Sequence, residues 1–297
     1  MKKVINFGSL NIDHVYQVDH LVEPGETIVA KSYQVFPGGK GLNQSIALAK
    51  AGAAVTHVGK VGQDGLWLKD FLQDRGVNTT LVSVSSNVAG HAMIQVSQTG
   101  ENSIIIYGGA NRDLDINLLK EAFAGAAPGD MLLVQNETNA VTDIIKRGHE
   151  LGLTLVFNPA PMNSDALACP LDKIDWLVVN ETEGAALTEK TSVNDILLNL
   201  KLRFPTVKIV LTMGSKGLIY TDADRDITLP AFSVNAVDTT GTGDTFIGFF
   251  LAALVKEKEL ETALTEASAA AAICATLSGA ASSIPELEEV QQFLQNA

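Results

Sequence analysis

A glycine-spaced segment, Val237-Asp238-Thr239-Thr240-Gly241-Thr242-Gly243-Asp244-Thr245-Phe246, carries the most information about the fold and the chemistry of this chain. It runs directly into residues 247–255, an apolar stretch long enough for a buried helix. A glycine-rich turn that opens a helix leaves backbone N–H groups unpaired, and such groups attract anions. Asp244 lies in the first turn, where the helix dipole stabilises a negative charge. An anion cradle with a carboxylate beside it predicts phosphoryl transfer to a hydroxyl group.

The Gly241-Thr242-Gly243 spacing also begins a dinucleotide-binding fingerprint, but that fingerprint is incomplete. Phe246 occupies the position where the third glycine is required. The segment also lies near the C-terminus, whereas the fingerprint belongs to a first strand–helix–strand unit. Both observations disfavour an oxidoreductase.

The composition is that of an ordinary globular protein. The 297 residues are 46% hydrophobic and 19% charged, and a net charge of −13 argues against a nucleic-acid partner held by phosphate contacts. Cys169 and Cys274 are too few for a disulfide framework, which predicts a reducing compartment. Residues 1–8 predict a first strand rather than a signal peptide. No stretch approaches the ~18 apolar residues of a spanning helix, so we expect a soluble, cytoplasmic protein without a membrane partner.

Strand-like apolar runs alternate with helix-like segments along most of the chain. Strands are predicted at residues 4–7, 55–58, 131–134, 154–157, 176–179 and 208–212. Helices are predicted at about residues 41–52, 64–75, 115–124, 139–151, 181–188, 193–203, 244–257 and 259–277. This alternation predicts an α/β fold whose mostly parallel sheet is covered by helices on both faces.

Two segments break the alternation and predict a second, smaller sheet. Residues 12–36 contain strand-like runs around a turn at 23–26. Residues 88–108 contain a predicted hairpin with arms at 92–96 and 103–107. Ligands of open α/β folds bind at the carboxyl ends of the strands, so a separate sheet near that edge would act as a lid.

A second glycine-rich segment, Gly38-Gly39-Lys40-Gly41-Leu42-Asn43, opens the predicted helix at 41–52. Its glycines would let a ligand approach the backbone, and Asn43 would hydrogen-bond hydroxyl groups; a plain turn is the alternative. Asn11 and Asp13 follow the first strand at alternate positions, and Glu137 follows the strand at 131–134. We expect these three at the mouth of a cleft, although turn formation and a solvated loop are their ordinary explanations.

Two further strand exits carry polar residues. Asn180 follows the strand at 176–179 and begins a helix, so capping explains much of it. Residues 212–217 follow the strand at 208–212 and suit a phosphate or a ribose, with a tight turn as the alternative. The histidines are scattered without metal-ligand spacing, and no zinc site is predicted.

Taken together, these segments resemble the ribokinase family of carbohydrate kinases over nearly the whole chain. The resemblance rests mainly on residues 38–43 and on Asp238-Thr239-Thr240-Gly241-Thr242-Gly243-Asp244, in the order expected for the family. It implies one kinase domain over residues 1–297, a three-layer α/β sandwich with a small β-sheet lid. Lids often pair in this family, so a homodimer through the lid sheets is expected.

The resemblance also implies a role for each candidate residue. Asp244 would be the catalytic base, with an anion hole from Gly241, Thr242 and Gly243. The sugar would be held by Asn11, Asp13, Gly39, Lys40, Gly41, Asn43, Glu137 and Asp244. ATP, with Mg²⁺, would contact Asn180, Thr212, Gly214, Ser215, Gly217, Gly243 and Ser268. A monovalent cation, typically K⁺, would lie near Asp238, Thr240, Cys274, Leu277, Gly279 and Ser283, bound largely by backbone carbonyls.

The reaction implied is transfer of the γ-phosphoryl group of ATP to the 5-hydroxyl of D-ribose. Kinases for deoxyribose, fructose or a nucleoside are the alternatives within the fold, and a catalytically silent sugar-binding regulator is the alternative outside it. Asn11 and Asp13 favour a small polyhydroxylated sugar, and the intact Gly243-Asp244 pair argues against a silent regulator. The chain departs from the family pattern at Thr242, where alanine is usual, at Ser268 and at Leu277.

Overall fold

The computed structural model describes residues 2–296, which form a three-layer α/β sandwich and a separate small sheet. The strands are β1 Val4–Phe7, β2 Asn11–Gln17, β3 Ser32–Gly38, β4 Val55–Val61, β5 Asn78–Val84, β6 Gly90–Val96, β7 Asn102–Tyr107, β8 Met131–Gln135, β9 Thr154–Asn158, β10 Trp176–Asn180, β11 Lys208–Thr212, β12 Leu218–Thr221 and β13 Asp226–Leu229. The α-helices are α1 Lys40–Lys50, α2 Leu66–Gln73, α3 Ile116–Ala124, α4 Val141–Glu150, α5 Ser164–Leu167, α6 Glu181–Thr188, α7 Val193–Arg203, α8 Thr242–Val255, α9 Leu260–Ala275 and α10 Leu287–Asn296.

The large sheet has the strand order β13-β12-β11-β10-β9-β8-β1-β4-β5. Its strands pair in parallel from β11 to β5, and β12 and β13 add an antiparallel edge. Alternate side chains of each central strand enter opposite cores, as Val4 and Ile5 do in β1. One core is covered by α1, α2, α8, α9 and α10, and the other by α3, α4, α6 and α7. The predicted sandwich with a mostly parallel sheet is confirmed.

The small sheet has the strand order β3-β2-β6-β7. Two of its pairings are antiparallel, and β2 with β6 is parallel. The predicted hairpin is confirmed, because Ala92 pairs with Ile106 and Val96 with Asn102. The sheet rises from the carboxyl edge of the large sheet, since β2 begins four residues after β1 ends.

Helices α1 and α8 pack against each other and begin at the same edge of the large sheet. Helix α8 is apolar on nearly all sides and is correspondingly buried. A Cβ atom added at Gly248 would lie only 2.3 Å from Cβ of Ala47 and 2.8 Å from the backbone nitrogen of Leu48. The absence of a side chain at Gly248 therefore sets how closely the two helices approach.

Candidate active site

The two glycine-rich segments meet at the carboxyl edge of the sheet. Gly39 is the N-cap of α1 with a φ of 96°, and Gly241 is the N-cap of α8 with a φ of 77°. Side chains rarely adopt this left-handed region, so glycine is required at both helix starts. A Cβ atom at Gly41 would lie 2.3 Å from Cα of Gly8, so the first segment rests directly on the end of β1. Both helices thus begin at one place, where the first N–H groups of α1 are taken up by Glu137 and Ser9.

Asp244 occupies the first turn of α8 with only 8% of its surface exposed. Its Oδ2 accepts a hydrogen bond from Nδ2 of Asn43 at 3.0 Å, and its Oδ1 accepts one from Nε2 of Gln44 at 2.8 Å. The side-chain oxygen of Asn43, Oδ1, is buried and has no hydrogen-bond partner among residues 2–296. Asn43 and Asp244 were predicted site residues, whereas Gln44 was not. The position of Gln44 near the start of α1, next to Asn43, could have identified it as a site residue.

Glu137, Ser9 and Lys40 form a second polar group. The backbone N–H of Lys40 donates to Oε2 of Glu137 at 2.9 Å, and the hydroxyl of Ser9 donates to the same oxygen. Burial raises the pKa of Glu137, against the neighbouring Lys40 charge and both hydrogen bonds. The pKa of Lys40 is raised mainly by the Asp244 carboxylate, with further contributions from Glu137 and Glu183. Glu137 is thus a buried carboxyl group rather than a solvated loop residue.

Asn11 and Glu137 line a cavity of about 210 Å³ beside this group, together with Ile106, Gly108, Asn111, Arg112 and Pro161. Asn11 is held in place because its Oδ1 accepts a hydrogen bond from Nδ2 of Asn111 at 2.7 Å. Asp13 lies two residues further along β2, and burial followed by repulsion from Glu137 raises its pKa to about 7. Ile106 belongs to β7, so the small sheet contributes directly to the wall of this cavity. Arg112 was not predicted, and its guanidinium donates to the carbonyl oxygen of Thr138 at 2.8 Å.

A larger cavity of about 540 Å³ lies on the other side of the α8 N-terminus. It is lined by seven predicted residues, Thr212, Gly214, Ser215, Gly217, Thr242, Gly243 and Ser268. Its apolar wall comes from residues that the sequence did not single out, including Phe232, Val234, Phe246, Ala271 and Ala275. Phe232 and Val234 lie in the irregular segment between β13 and α8, where no periodic pattern identifies a function. The combination of apolar walls and glycine turns fits a flat ring with a phosphate tail.

Asn180 has a structural role that the sequence anticipated. It is the N-cap of α6, and it forms a reciprocal capping box with Glu183. It does not line the larger cavity, unlike the other predicted nucleotide residues. Glu183 was not predicted, yet it lies within the electrostatic reach of Lys40 and Asp244, and burial raises its pKa. The capping box therefore holds a carboxyl group toward the candidate site.

The residues of the predicted cation site also come together. Asp238 accepts hydrogen bonds from the backbone and hydroxyl of Thr240 and from the backbone of Gly279. These bonds outweigh partial burial and lower the pKa of Asp238, so the carboxylate is charged. Sγ of Cys274 lies 3.0 Å from Oγ of Ser283. The side chain of Leu277 is half exposed, so only its backbone is suited to a cation.

Residues 2–296 contain neither a preformed cluster of metal-binding side chains nor a membrane-spanning helix. No group of three or more histidine, cysteine, aspartate or glutamate side chains in this range is arranged to hold a metal ion. No helix in the described part of the chain is long and apolar enough to cross a membrane.

Comparison with known proteins identifies the family. Residues 1–287 match the pfkB family of carbohydrate kinases, and the chain belongs to this family. It is 38% identical to the ribokinase of Haemophilus influenzae over the whole length of both chains, and 33% identical to the deoxyribokinase of Salmonella typhi over 97% of each. A ribokinase from Arabidopsis thaliana complexed with ribose and ATP superposes with a TM-score of 0.88, at 31% identity over 99% of each chain. The protein is therefore a phosphotransferase with an alcohol group as acceptor.

Proposed function

We propose that this protein transfers the γ-phosphoryl group of ATP to the 5-hydroxyl of D-ribose, which gives ribose 5-phosphate and ADP. The observation that carries the proposal is the position of Asp244, which follows Gly243 of the larger cavity and is hydrogen-bonded to the glycine-rich segment that contacts Glu137 of the smaller cavity. Thr242 and Gly243 line the larger cavity, and Asn43, from the segment beside the smaller cavity, donates to the Asp244 carboxylate. The full-length similarity to ribokinases, one of them with ribose and ATP bound, supports the same substrates here.

The sugar site follows from the hydrogen-bonding groups around the smaller cavity. Asn11, Asp13 and Glu137 would bind the hydroxyl groups on the ring, since buried amides and carboxylates need partners of this kind. The backbone at Gly39, Lys40 and Gly41 would lie against the sugar. The side-chain Oδ1 of Asn43, which has no partner among residues 2–296, would accept a hydrogen bond from a sugar hydroxyl group close to Asp244. A sugar held in this way would direct its primary hydroxyl group at the Asp244 carboxylate.

Phosphoryl transfer would take place at the N-terminus of α8. The Asp244 carboxylate accepts the hydroxyl proton as the oxygen attacks the γ-phosphorus in line and the bond to ADP breaks. Backbone N–H groups at Gly241, Thr242 and Gly243 stabilise the charge on the transferring group. Lys40, whose charge lies among the Asp244, Glu137 and Glu183 carboxylates, offsets part of the negative charge that ATP brings.

Two metal cofactors suit the residues that are present. Mg²⁺ bound to ATP would neutralise phosphate charge and would be held mainly by phosphate and water. K⁺ prefers oxygen ligands, and the charged Asp238, with the loop carbonyls near Thr240, Gly279 and Ser283, supplies them. Asn180, Thr212, Gly214, Ser215, Gly217 and Ser268 would position the rest of the nucleotide.

The small sheet, β3-β2-β6-β7, would act as a lid that excludes water from the sugar cavity. Its strands also expose a set of large side chains, which includes Tyr33, Val35, Met93, Ile105 and Tyr107. An exposed apolar surface of this kind favours association, so we propose a homodimer formed through the lid sheets. Cys169 and Cys274 are free thiols, which supports a cytoplasmic location.

A coupled assay of ADP formation tests the proposed reaction. The purified protein is given ATP, Mg²⁺ and K⁺ with ribose, 2-deoxyribose, fructose, adenosine or inosine. Ribose should give the highest kcat/KM, and 5-deoxyribose, which lacks the acceptor hydroxyl, should give none. A higher kcat/KM for 2-deoxyribose would favour the second candidate, which the deoxyribokinase similarity supports. A lack of turnover with every sugar would overturn the proposal in favour of a silent binding protein.

A further inference from the structure

A continuous chain of buried polar side chains runs behind Asp244, from Gln44 through Gln135, Asn6 and Ser45 to His57. Nε2 of Gln135 donates to Oε1 of Gln44 at 2.7 Å and to Oδ1 of Asn6 at 2.9 Å. Nδ2 of Asn6 lies 2.8 Å from Oγ of Ser45, which lies 2.8 Å from Nδ1 of His57. Each of these five side chains is at most 1% exposed. We call them the buried polar chain.

His57, at the end of the buried polar chain that is farthest from Asp244, determines which group donates in each hydrogen bond of the chain. Nε2 of His57 lies 3.1 Å from the carbonyl oxygen of Gly8, which only accepts, so this nitrogen carries the proton. Burial lowers the pKa of His57 to about 4, so the ring is neutral and Nδ1 accepts from Ser45. Ser45 then accepts from the amide nitrogen of Asn6, which also donates to the carbonyl oxygen of Gly41.

Gln44, at the end of the buried polar chain next to Asp244, requires the same donor and acceptor assignment. The amide nitrogen of Gln44 lies 2.8 Å from Oδ1 of Asp244 and 3.2 Å from Oδ1 of Asn158. The oxygen of Asn158 is itself oriented, because its amide nitrogen donates to the carbonyl oxygen of Val178. A reversed Gln44 amide would place its oxygen against a carboxylate and its nitrogen against the amide nitrogen of Gln135. Both ends therefore agree on one orientation of Gln44.

We propose that Gln44 is a positioning residue for the base Asp244 and that Gln135 orients it through the buried polar chain. The inference rests on the proposed role of Asp244. Gln44 and Asn43 each hold one carboxylate oxygen, so the rotation of the carboxylate is fixed before the substrates bind. The buried polar chain fixes which end of Gln44 faces Asp244. Its members come from β1, α1, β4 and β8. The orientation of the Asp244 carboxylate is therefore determined by regular elements of the large sheet and α1 rather than by a loop.

The pH dependence of kcat at saturating ribose and ATP tests this inference. Gln44→Glu places a second carboxyl group beside Asp244, and two adjacent carboxylates resist ionising together. The acid limb of the kcat profile should move to higher pH by about one unit or more. Gln135→Leu leaves Gln44 without its orienting donor. We expect kcat to fall by about ten- to a hundredfold from misalignment of the base, while KM for ribose stays within about twofold.

Thr188→Val is the matched control, because Thr188 is also buried and donates to the carbonyl oxygen of Gly184 far from Asp244. It should lower thermal stability without moving the pH profile. An unchanged acid limb in Gln44→Glu, with kcat of Gln135→Leu no lower than that of Thr188→Val, would overturn the inference. If Gln44→Glu does not fold, the inference is tested by Gln135→Leu alone, whose kcat should fall while its KM for ribose stays within about twofold. Asp244→Asn separates this inference from the proposed function. Full activity of Asp244→Asn would show that Asp244 is not the base, independently of the results for Gln44 and Gln135.

Discussion

The side-chain amide of Asn43 donates a hydrogen bond to the carboxylate of Asp244 at 3.0 Å across 201 positions of sequence. Asn43 belongs to the first glycine-rich segment and Asp244 to the second, so this bond joins the proposed acceptor site to the proposed phosphoryl-transfer site. Substitution of Asp244 should therefore mainly lower kcat, whereas substitution of Asn43 should mainly weaken ribose binding.

Asp244→Asn should lower kcat by at least ~10², the scale for a positioned general base. Ribose affinity should change little, because the amide keeps the size of the carboxylate. Steady-state kinetics and ribose titration calorimetry measure the two quantities. Asp172→Asn, an exposed position, serves as the control. Near-normal turnover of Asp244→Asn would remove the base assignment.

Asn43→Ala should weaken ribose binding by about 1–3 kcal/mol, because a buried hydroxyl group of the sugar would lose its partner. ATP affinity should stay the same, since Asn43 does not line the larger cavity. Calorimetry with each ligand separates the effects, and Asn117→Ala on the exposed face of α3 is the control. Unchanged ribose affinity would place the sugar pocket elsewhere.

Ribose affinity should depend on the ionisation of Asp13, whose pKa is raised to about 7 by burial and by repulsion from Glu137. The ionised carboxylate accepts sugar hydroxyls, so affinity should fall as the pH drops below 7, by up to about tenfold per unit. Asp13→Asn should abolish this dependence. The same raised pKa means that the free protein loses stability as the pH rises toward 7, and Asp13→Asn should remove that loss. A pH-independent affinity in the unchanged protein would contradict the assignment.

Replacement of K⁺ by Na⁺ at constant ionic strength should lower kcat if the proposed cation site is occupied during turnover. Asp238 orders both Thr240 and Gly279, so the ion is expected to stabilise the anion hole. Asp238→Asn should reduce the difference between the two salts. Equal rates in K⁺ and Na⁺ would argue that no such site operates.

Ile105→Lys should shift the protein toward the monomer, because it places a charge on the exposed side of the lid sheet. Sedimentation velocity over a range of concentrations measures the change. Ile116→Lys is a matched control on α3, with 62% of the side chain exposed against 64% for Ile105. A monomer before any substitution, or a dimer that survives Ile105→Lys, would exclude the lid interface.

The central strands were predictable because burial on both faces leaves continuous apolar runs. The predicted limits of β1 and β11 are those observed. The edge strands β12 and β13 span only four residues each, β13 alternates polar with apolar residues, and β5 begins with the polar Asn78 and Thr79. The C-terminal helix α10 was not predicted either, although Leu287, Val290, Phe293 and Leu294 recur at helical spacing and pack against the core.

The candidate site was predictable where glycines and helix starts coincide, as at Gly39 and Gly241. The buried polar chain behind it was not. Asn6, His57 and Gln135 lie on different strands: Asn6 interrupts the apolar run of β1, His57 follows the polar Thr56, and Gln135 ends the run of β8. Nothing in the local sequence tells that these three side chains hydrogen-bond within one network, because the contacts depend on the order of strands in the sheet.

Gly248 and Ala47 each lie one helical turn beyond the hydrogen-bonded pair Asp244 and Asn43. A single methyl group at Gly248 would wedge α8 away from α1 and would carry the two side chains apart with the helices. A random mutagenesis screen for lost kinase activity should therefore recover substitutions at Gly248, although that residue lines neither cavity. The distance between Asn43 and Asp244 thus depends on the contact between Gly248 and Ala47. Selection for catalysis should therefore also constrain this contact in the hydrophobic core.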